Sequence, residues 1–250
     1  MFNFRWFILT QFCLVTLLFA LSNEGYCQPE KKNTIKINIS NPLLFGSKAY
    51  IFGYERIIGN NQSFSVNIGR MSLPAFLNKL GNDSVKLLNN TSERGFNFSV
   101  DYRFYLSKEN KYNAPHGVYI GPYYSYNHFS RTNTWLVNTS TIQGNVGTTI
   151  ALNINTVGAE LGYQFVLWKK LAVDMVLLGP GIGFYKISAK INEDLNVTDK
   201  QIFYGRLNDF LKDKIPGYNK IINGDGFAQK GSENTTAFGY RYMVNLGYRF

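Results

Sequence analysis

Along most of the chain, apolar side chains recur at every second position, with small or polar residues between them. The clearest run lies at the C-terminal end. Phe238, Tyr240, Tyr242, Val244, Leu246, Tyr248 and Phe250 share one face of an extended segment, and Gly239, Arg241, Met243, Asn245, Gly247 and Arg249 share the other. A second run takes Phe96, Phe98, Val100, Tyr102, Phe104 and Leu106 on one side, against Asn97, Ser99, Asp101, Arg103 and Tyr105 on the other. Such a two-residue period is the signature of a strand with two unlike faces. The pattern predicts eight strands, at 34–41, 48–58, 63–73, 95–107, 117–138, 148–168, 171–191 and 235–250. The seventh changes phase around Leu177-Leu178-Gly179-Pro180-Gly181, which predicts a bulge or kink.

The connections alternate in length. Those at Gly59–Gln62, Lys108–His116 and Lys169-Lys170 total about 15 residues, whereas Pro42–Ser47, Pro74–Arg94, Thr139–Gly147 and Asn192–Asn234 total about 80. An even strand count with short turns on one side and long loops on the other is the layout of a bacterial outer-membrane barrel. The last loop also carries a helix pattern. Thr198 is a candidate cap, Gln201 completes a capping box, and Phe203, Leu207, Phe210 and Leu211 fall on one stripe.

Composition decides which face looks outward. Of the 250 residues, 45% are hydrophobic and 16% aromatic, but only 17% are charged, against roughly 25% in an average globular domain. A soluble eight-stranded cup of the lipocalin kind would point its apolar face inward. An eight-stranded barrel, however, has an interior just wide enough to be filled by side chains. Five or more Phe, Tyr, Leu or Val per strand would overfill it, while the Gly, Ser and Asn of the opposite face fit. The apolar face therefore goes to lipid, and the sheet must close because no open edge is tolerated there.

The N-terminus points to export. Arg5 precedes an apolar run from Trp6 to Leu21, and the small residues Gly25 and Cys27 follow at alternating positions. This is the form of a cleavable signal peptide, here 1–27, leaving a single barrel domain at 28–250. A lipoprotein anchor on Cys27 is the competing reading, against which bulky Tyr26 stands just before the cysteine. Both cysteines, Cys13 and Cys27, fall in the removed segment, so no disulfide or cysteine-ligated metal is expected. The net charge of +10 is assigned to lipid phosphates rather than to nucleic acid.

Taken with the signal segment, the eight alternating strands, the turn and loop asymmetry and the terminal Tyr248-Arg249-Phe250, the chain resembles the small outer-membrane barrels of Gram-negative bacteria, of the outer-membrane protein A and X type. The resemblance covers essentially the whole of 28–250. It implies an all-β, eight-stranded antiparallel transmembrane up-and-down barrel in the cell outer membrane, and no peptidoglycan-binding domain is expected. It also implies that Tyr248 and Phe250 serve as the signal read by the barrel-assembly machinery.

Several constellations are candidates for chemistry. The polar face carries Lys36, Glu55, Asp101, Arg103, Glu160, Asp174, Arg241 and Arg249, which predicts a lumen network of ion pairs or, alternatively, a narrow gated pore. Arg70, Arg131, Lys186 and Lys190 fall near the external strand ends, where lipopolysaccharide phosphates would meet them. His128 and Ser130 share one side of strand five, and the pair is similar to that of the outer-membrane lipid A deacylases. No acid follows to orient the histidine until Glu160, on the inward face. The upper parts of strands five and six, with Trp135, Leu136, Val137, Ile150, Leu152 and Ile154, suggest a protruding sheet able to take an extracellular protein partner by strand addition. The expectation is a barrel with an envelope-structural or surface-interaction role, without catalytic activity, cofactor or metal.

Overall fold

Eight extended segments each pair with their sequence neighbour, and the first pairs with the last, so that the sheet closes. The structure is a computed structural model that describes residues 31–46, 48–72, 85–138, 143–192, 197–214 and 232–250. The export segment expected at 1–27 and the parts 193–196 and 215–231 of the last loop lie outside the described residues. The strands are β1 (Asn33–Asn38), β2 (Tyr50–Gly59), β3 (Gln62–Arg70), β4 (Val85–Tyr105), β5 (Gly117–Asn138), β6 (Gln143–Leu167), β7 (Leu171–Ile191) and β8 (Ser232–Arg249). Every pairing is antiparallel, including β1 with β8 from Thr34↔Arg249 to Asn38↔Asn245. The fold is an eight-stranded antiparallel up-and-down barrel.

Alternation along each strand sets an inner and an outer surface. Thr34, Lys36 and Asn38 of β1 are buried inside, while Ile35 and Ile37 are exposed outside. On β8, Arg241, Asn245 and Arg249 face in, and Phe238, Tyr240, Leu246 and Tyr248 face out. The outer wall between the two rims is therefore apolar and the inside polar, the reverse of a soluble barrel. The phase change of β7 falls where the sequence places it. The register with β8 shifts between Val176 and Gly179, and Leu177 and Leu178 both lie outward, which restores the apolar exterior for Ile182 and Phe184.

At the turn end the connections are tight. β6 and β7 join through Trp168 and Lys169, both with positive φ (48° and 62°), and the Lys170 N–H donates to Leu167 O at 3.2 Å. Two left-handed residues in succession give the primed turn whose twist matches the flanking strands. Trp168 projects from this rim with 83% of its surface exposed.

At the loop end the wall is uneven. β1 to β3 have 6, 10 and 9 residues, whereas β4 to β8 have 18 to 25. The alternation predicts a first strand running to 41. It stops at Asn38, whose carboxamide oxygen accepts from the Asn41 N–H (2.7 Å) and the Ser40 hydroxyl (3.1 Å), starting helix α1 (Ser40–Phe45). The same Asn38 donates across to Asn245 of β8 at 2.9 Å, so α1 is pinned above the short strand. Leu43 and Leu44 of α1 are exposed and continue the apolar exterior that β1 leaves unfinished.

β4 and β6 begin earlier than the alternation predicts, at Val85 and Gln143 rather than 95 and 148. Val85–Arg94 is rich in Asn, Ser and charge, and its pairing with β5 shifts twice, between Leu87 and Asn89 and between Asn90 and Ser92. Each shift resets the phase, so no clean period survives in the sequence. Helix α2 (Val197–Lys214) occupies the last loop, with Phe203 and Leu207 buried. The side chains of Thr198, Phe210 and Leu211 lie outside the described residues.

Inward glycines make room for large lumen side chains. A Cβ on Gly162 of β6 would collide with the Tyr119 ring and come within 2.6 Å of Met175 O, whereas one on Gly59 would meet nothing within 4 Å. Gly162→Val is expected to abolish the compact, heat-modifiable form of the refolded protein on a gel, and Gly59→Ala to leave it intact.

Candidate functional site

All eight strands send a polar side chain into one cluster in the lower lumen. Arg103 of β4 is its hub. Its Nε lies 2.7 Å from Asp101 and 3.5 Å from Glu160, and its Nη1 lies 2.9 Å from Asp174 and 3.6 Å from Glu55. Lys36 of β1 bridges Asp174 (2.7 Å) and Glu55 (3.0 Å). Arg241 of β8 bridges Asp101 (3.1 Å) and Glu160 (3.2 Å). Three cations thus meet four carboxylates, all at least nine-tenths buried. A charge withdrawn from water this far persists only if it is paired and hydrogen-bonded.

Neutral groups that the sequence reading passes over complete the network. The Tyr119 hydroxyl donates to Asp174 (2.7 Å), Ser63 donates to Glu55 (2.6 Å) and Tyr105 to Glu55 (3.0 Å). Asn67 donates to Asp101 and Asn245 to Asp174, each at 3.3 Å. The Arg103 guanidinium lies 4.3 Å from the centre of the Tyr119 ring, and that of Arg241 lies 5.0 Å from the Tyr123 ring. These residues share inward parity with the charges, and that parity is the signal by which sequence could have found them. It is masked for Tyr119 and Tyr123, because composition assigns aromatic residues to lipid.

Arg249 also faces inward and is buried, at the turn end, where it donates to Lys31 O at 3.0 Å. Nearby, His116 stacks on Tyr112 with 4.8 Å between ring centres. Burial and the adjacent Arg249 guanidinium hold its imidazole below the usual histidine range.

Toward the loop end the polarity of the wall reverses. Ile51, Met71 and Phe129 form a buried apolar cluster inside the barrel, with Phe45, Leu152 and Ile154 packed on it. Leu152 and Ile154 therefore line the interior rather than a protruding apolar surface. β5 pairs on both sides along its length and β6 does so from Thr148, so among the described residues an open edge of the tall wall lies on β4 above Gly95, beyond its pairing with β3. The side chains of Trp135 and Val137 lie outside the described residues. Beyond Ser125 on β5 and Thr156 on β6, the outward positions become His128, Ser130 and Thr132, and Asn155, Asn153, Ala151 and Thr149.

The predicted phosphate contacts divide. Lys186 and Lys190 are exposed on the outer face of β7, and Arg70 is exposed with its guanidinium donating to Glu93 O at 3.2 Å. Arg131 instead points inward and is buried, 3.2 Å from the Glu93 carboxylate. Odd positions of β5 face the lumen, so Arg131 cannot share the outer face of His128 and Ser130. That histidine is oriented by an amide rather than an acid, its Nδ1 lying 2.7 Å from Asn153 Oδ1. Among the described residues, no hydrogen bond joins it to Ser130. Tyr248 and Phe250 are exposed at the turn-end rim.

No protein-family model matches the chain, and no curated protein resembles it in sequence. Among solved structures, it is similar to a major outer membrane protein from Thermus thermophilus, with 12% identity over 88% of this chain and 98% of that one, at a TM-score of 0.40. It is similar to Acinetobacter baumannii CarO2, with 12% identity over 88% and 96% and a TM-score of 0.34. A third is the translocator domain of the autotransporter NalP from Neisseria meningitidis, with 9% identity over 97% and 95% and a TM-score of 0.35. At such low identity and structural similarity, the functional reading rests on this chain's own wall and lumen.

Removing Arg103 would leave Asp101, Asp174, Glu55 and Glu160 short of their main shared cation. Arg103→Met is expected to lower the unfolding free energy by about 3–5 kcal/mol, measured by urea titration of the protein folded into lipid vesicles. An unchanged urea midpoint would mean that the network contributes no stability.

Proposed function

We propose that this chain is an integral outer-membrane β-barrel with an envelope-structural or surface-interaction role and no catalytic activity of its own. The observation that carries this reading is the inverted wall: Ile120, Val157, Ile182 and Leu246 are exposed, while Lys36, Arg103 and Asp174 are buried. An apolar exterior on a polar interior is stable only where the solvent outside is itself apolar. The outward apolar positions on β4 run from Phe96 to Phe104 and those on β5 from Val118 to Tyr126, near the roughly 9–11 residues that a tilted strand needs to cross a bilayer. No helix among the described residues is long and apolar enough to cross a membrane. Export through the N-terminal segment and assembly through Tyr248 and Phe250 belong to the same reading.

The lumen does not favour a pore. The Arg103 hub blocks it from strand to strand, and the Ile51, Met71 and Phe129 cluster closes it a second time toward the loop end. Nor does the outer face favour a hydrolase, since a nucleophilic serine needs a hydrogen bond to its base and Ser130 has none to His128.

Depth along the wall supplies the test. Arginine at Val100, halfway up the apolar band of β4, is expected to cost about 2–4 kcal/mol, and at Thr149 of β6, beyond the band, no more than about 1 kcal/mol. Folding free energies of the two variants in lipid vesicles measure this. Equal costs would contradict a membrane-embedded wall.

A further inference from the structure

The reversal of wall polarity is confined to the tall side of the barrel, and it places several cations on one patch of the outer face. The strand registers align two outward rows: Phe96–His128–Asn153–Lys186, and above it Arg94–Ser130–Ala151–Ser188. Lys190 follows at the next outward position of β7, opposite Thr149. The middle of the upper row, Ser130, Ala151 and Ser188, is small and carries hydroxyls. Arg94, His128, Lys186 and Lys190 stand around it. With strands ~4.8 Å apart and a rise of ~3.4 Å per residue, the enclosed floor is about 10 Å across and about 13 Å high.

Three features mark the patch as a receptor for negative charge. Arg94, Lys186 and Lys190 have no ion-pair partner among the described residues, and none of the outward positions named in these rows is a carboxylate. The His128 Nδ1 lies 2.7 Å from Asn153 Oδ1, which fixes the ring at the edge of the patch. Directly beneath, Tyr124 and Tyr126 raise their hydroxyls to Asn155 (2.7 Å) and Asn153 (3.1 Å). Tyrosines with apolar bodies below and hydrogen-bonded tips above are the mark of the interface between acyl chains and headgroups. The patch therefore lies at the height where lipid headgroups lie.

We propose that this tray binds the phosphate-bearing headgroup of a membrane lipid, with Lys186 and Lys190 as its principal cations, Arg94 and His128 at its far side, and the Ser130 and Ser188 hydroxyls as its floor. The inference rests on the membrane reading above and adds to it a lipid class and a location. It gives His128 and Ser130 a role in headgroup binding, and it leaves out Arg131, which is committed to Glu93 inside.

The test uses the full chain reconstituted in phosphatidylcholine vesicles, with spin-labelled phosphatidic acid and spin-labelled phosphatidylcholine as probes. The fraction of each probe immobilised by the protein is read by electron paramagnetic resonance. Phosphatidic acid is expected to be preferred about fivefold over phosphatidylcholine at low salt. Lys186→Gln with Lys190→Gln should bring the preference close to parity, while Lys108→Gln with Lys111→Gln, at the turn end, should leave it unchanged. Ser188→Glu, with every cation retained, should also remove it, and heat-modifiable gel migration verifies that each variant is folded. Equal immobilisation of both lipids by the unaltered protein would overturn the tray while leaving the barrel in the membrane. An equal loss in both lysine pairs would reduce the effect to general attraction and overturn it as well. Release of phosphatidic acid by excess inorganic phosphate would make the patch a free-anion site and overturn the lipid assignment. If neither lipid is immobilised, the membrane reading itself fails.

Discussion

The structure depends on a charge cluster that only a closed ring can satisfy. Arg103 on β4 reaches Asp174 on β7, and Lys36 on β1 reaches both Asp174 and Glu55 on β2. Arg241 on β8 ties Asp101 on β4 to Glu160 on β6. None of these partners is local in sequence apart from Asp101 and Arg103. Most of these contacts span the lumen or join strands distant in the chain, so an open sheet or a slipped register would strand ions in a dry interior. One partner's loss is costly because the remaining charges stay buried. The ladder hydrogen bonds close the barrel, and the ion network specifies which closed register is stable.

Around that cluster the protein changes character with height. At the turn end and through the middle, the inside is polar and the outside apolar. Toward the loop end of β5 to β7, an apolar layer of Phe129, Leu152 and Ile154 enters the inside, with buried Arg131 and Asn133 above it, and the outside turns polar through His128, Asn153 and Lys186. The two faces of a single strand thus change character along its length, as the proposed membrane setting requires. The short side solves the same problem differently. β1 ends at Asn38, and α1 carries Leu43 and Leu44 outward to finish the apolar wall. The tall side is left as the part of the molecule that presents a patterned polar surface.

Much of this is legible in the sequence. Parity identifies the inward charges, and the phase change at Leu177-Leu178 announces a bulge that the structure contains. Parity gives two faces but does not say which is inside, and one choice applied to whole strands misses any reversal along them. Leu152 and Ile154 read as exposed because apolar residues are assigned to the outside, whereas they keep the inward parity of Thr156 and Glu160. Arg131 groups with the surface cations by its place near a strand end, whereas its odd position sends it inward to Glu93. The early part of β4 is invisible because its two register shifts scramble the period. The Tyr119 hydroxyl on Asp174 can be found only once the strands are brought together in space.

The most direct test of the account is a nitroxide scan along β6 from Thr149 to Phe165 in lipid bilayers, reading accessibility to oxygen and to a water-soluble nickel chelate. The account predicts oxygen access at Val157, Ala159 and Leu161, protection from both reagents at the inward Thr156 and Gln164, and chelate access at Thr149, Ala151 and Asn153. Oxygen access at Thr156 and Gln164, or oxygen access continuing unbroken up to Thr149, would contradict it.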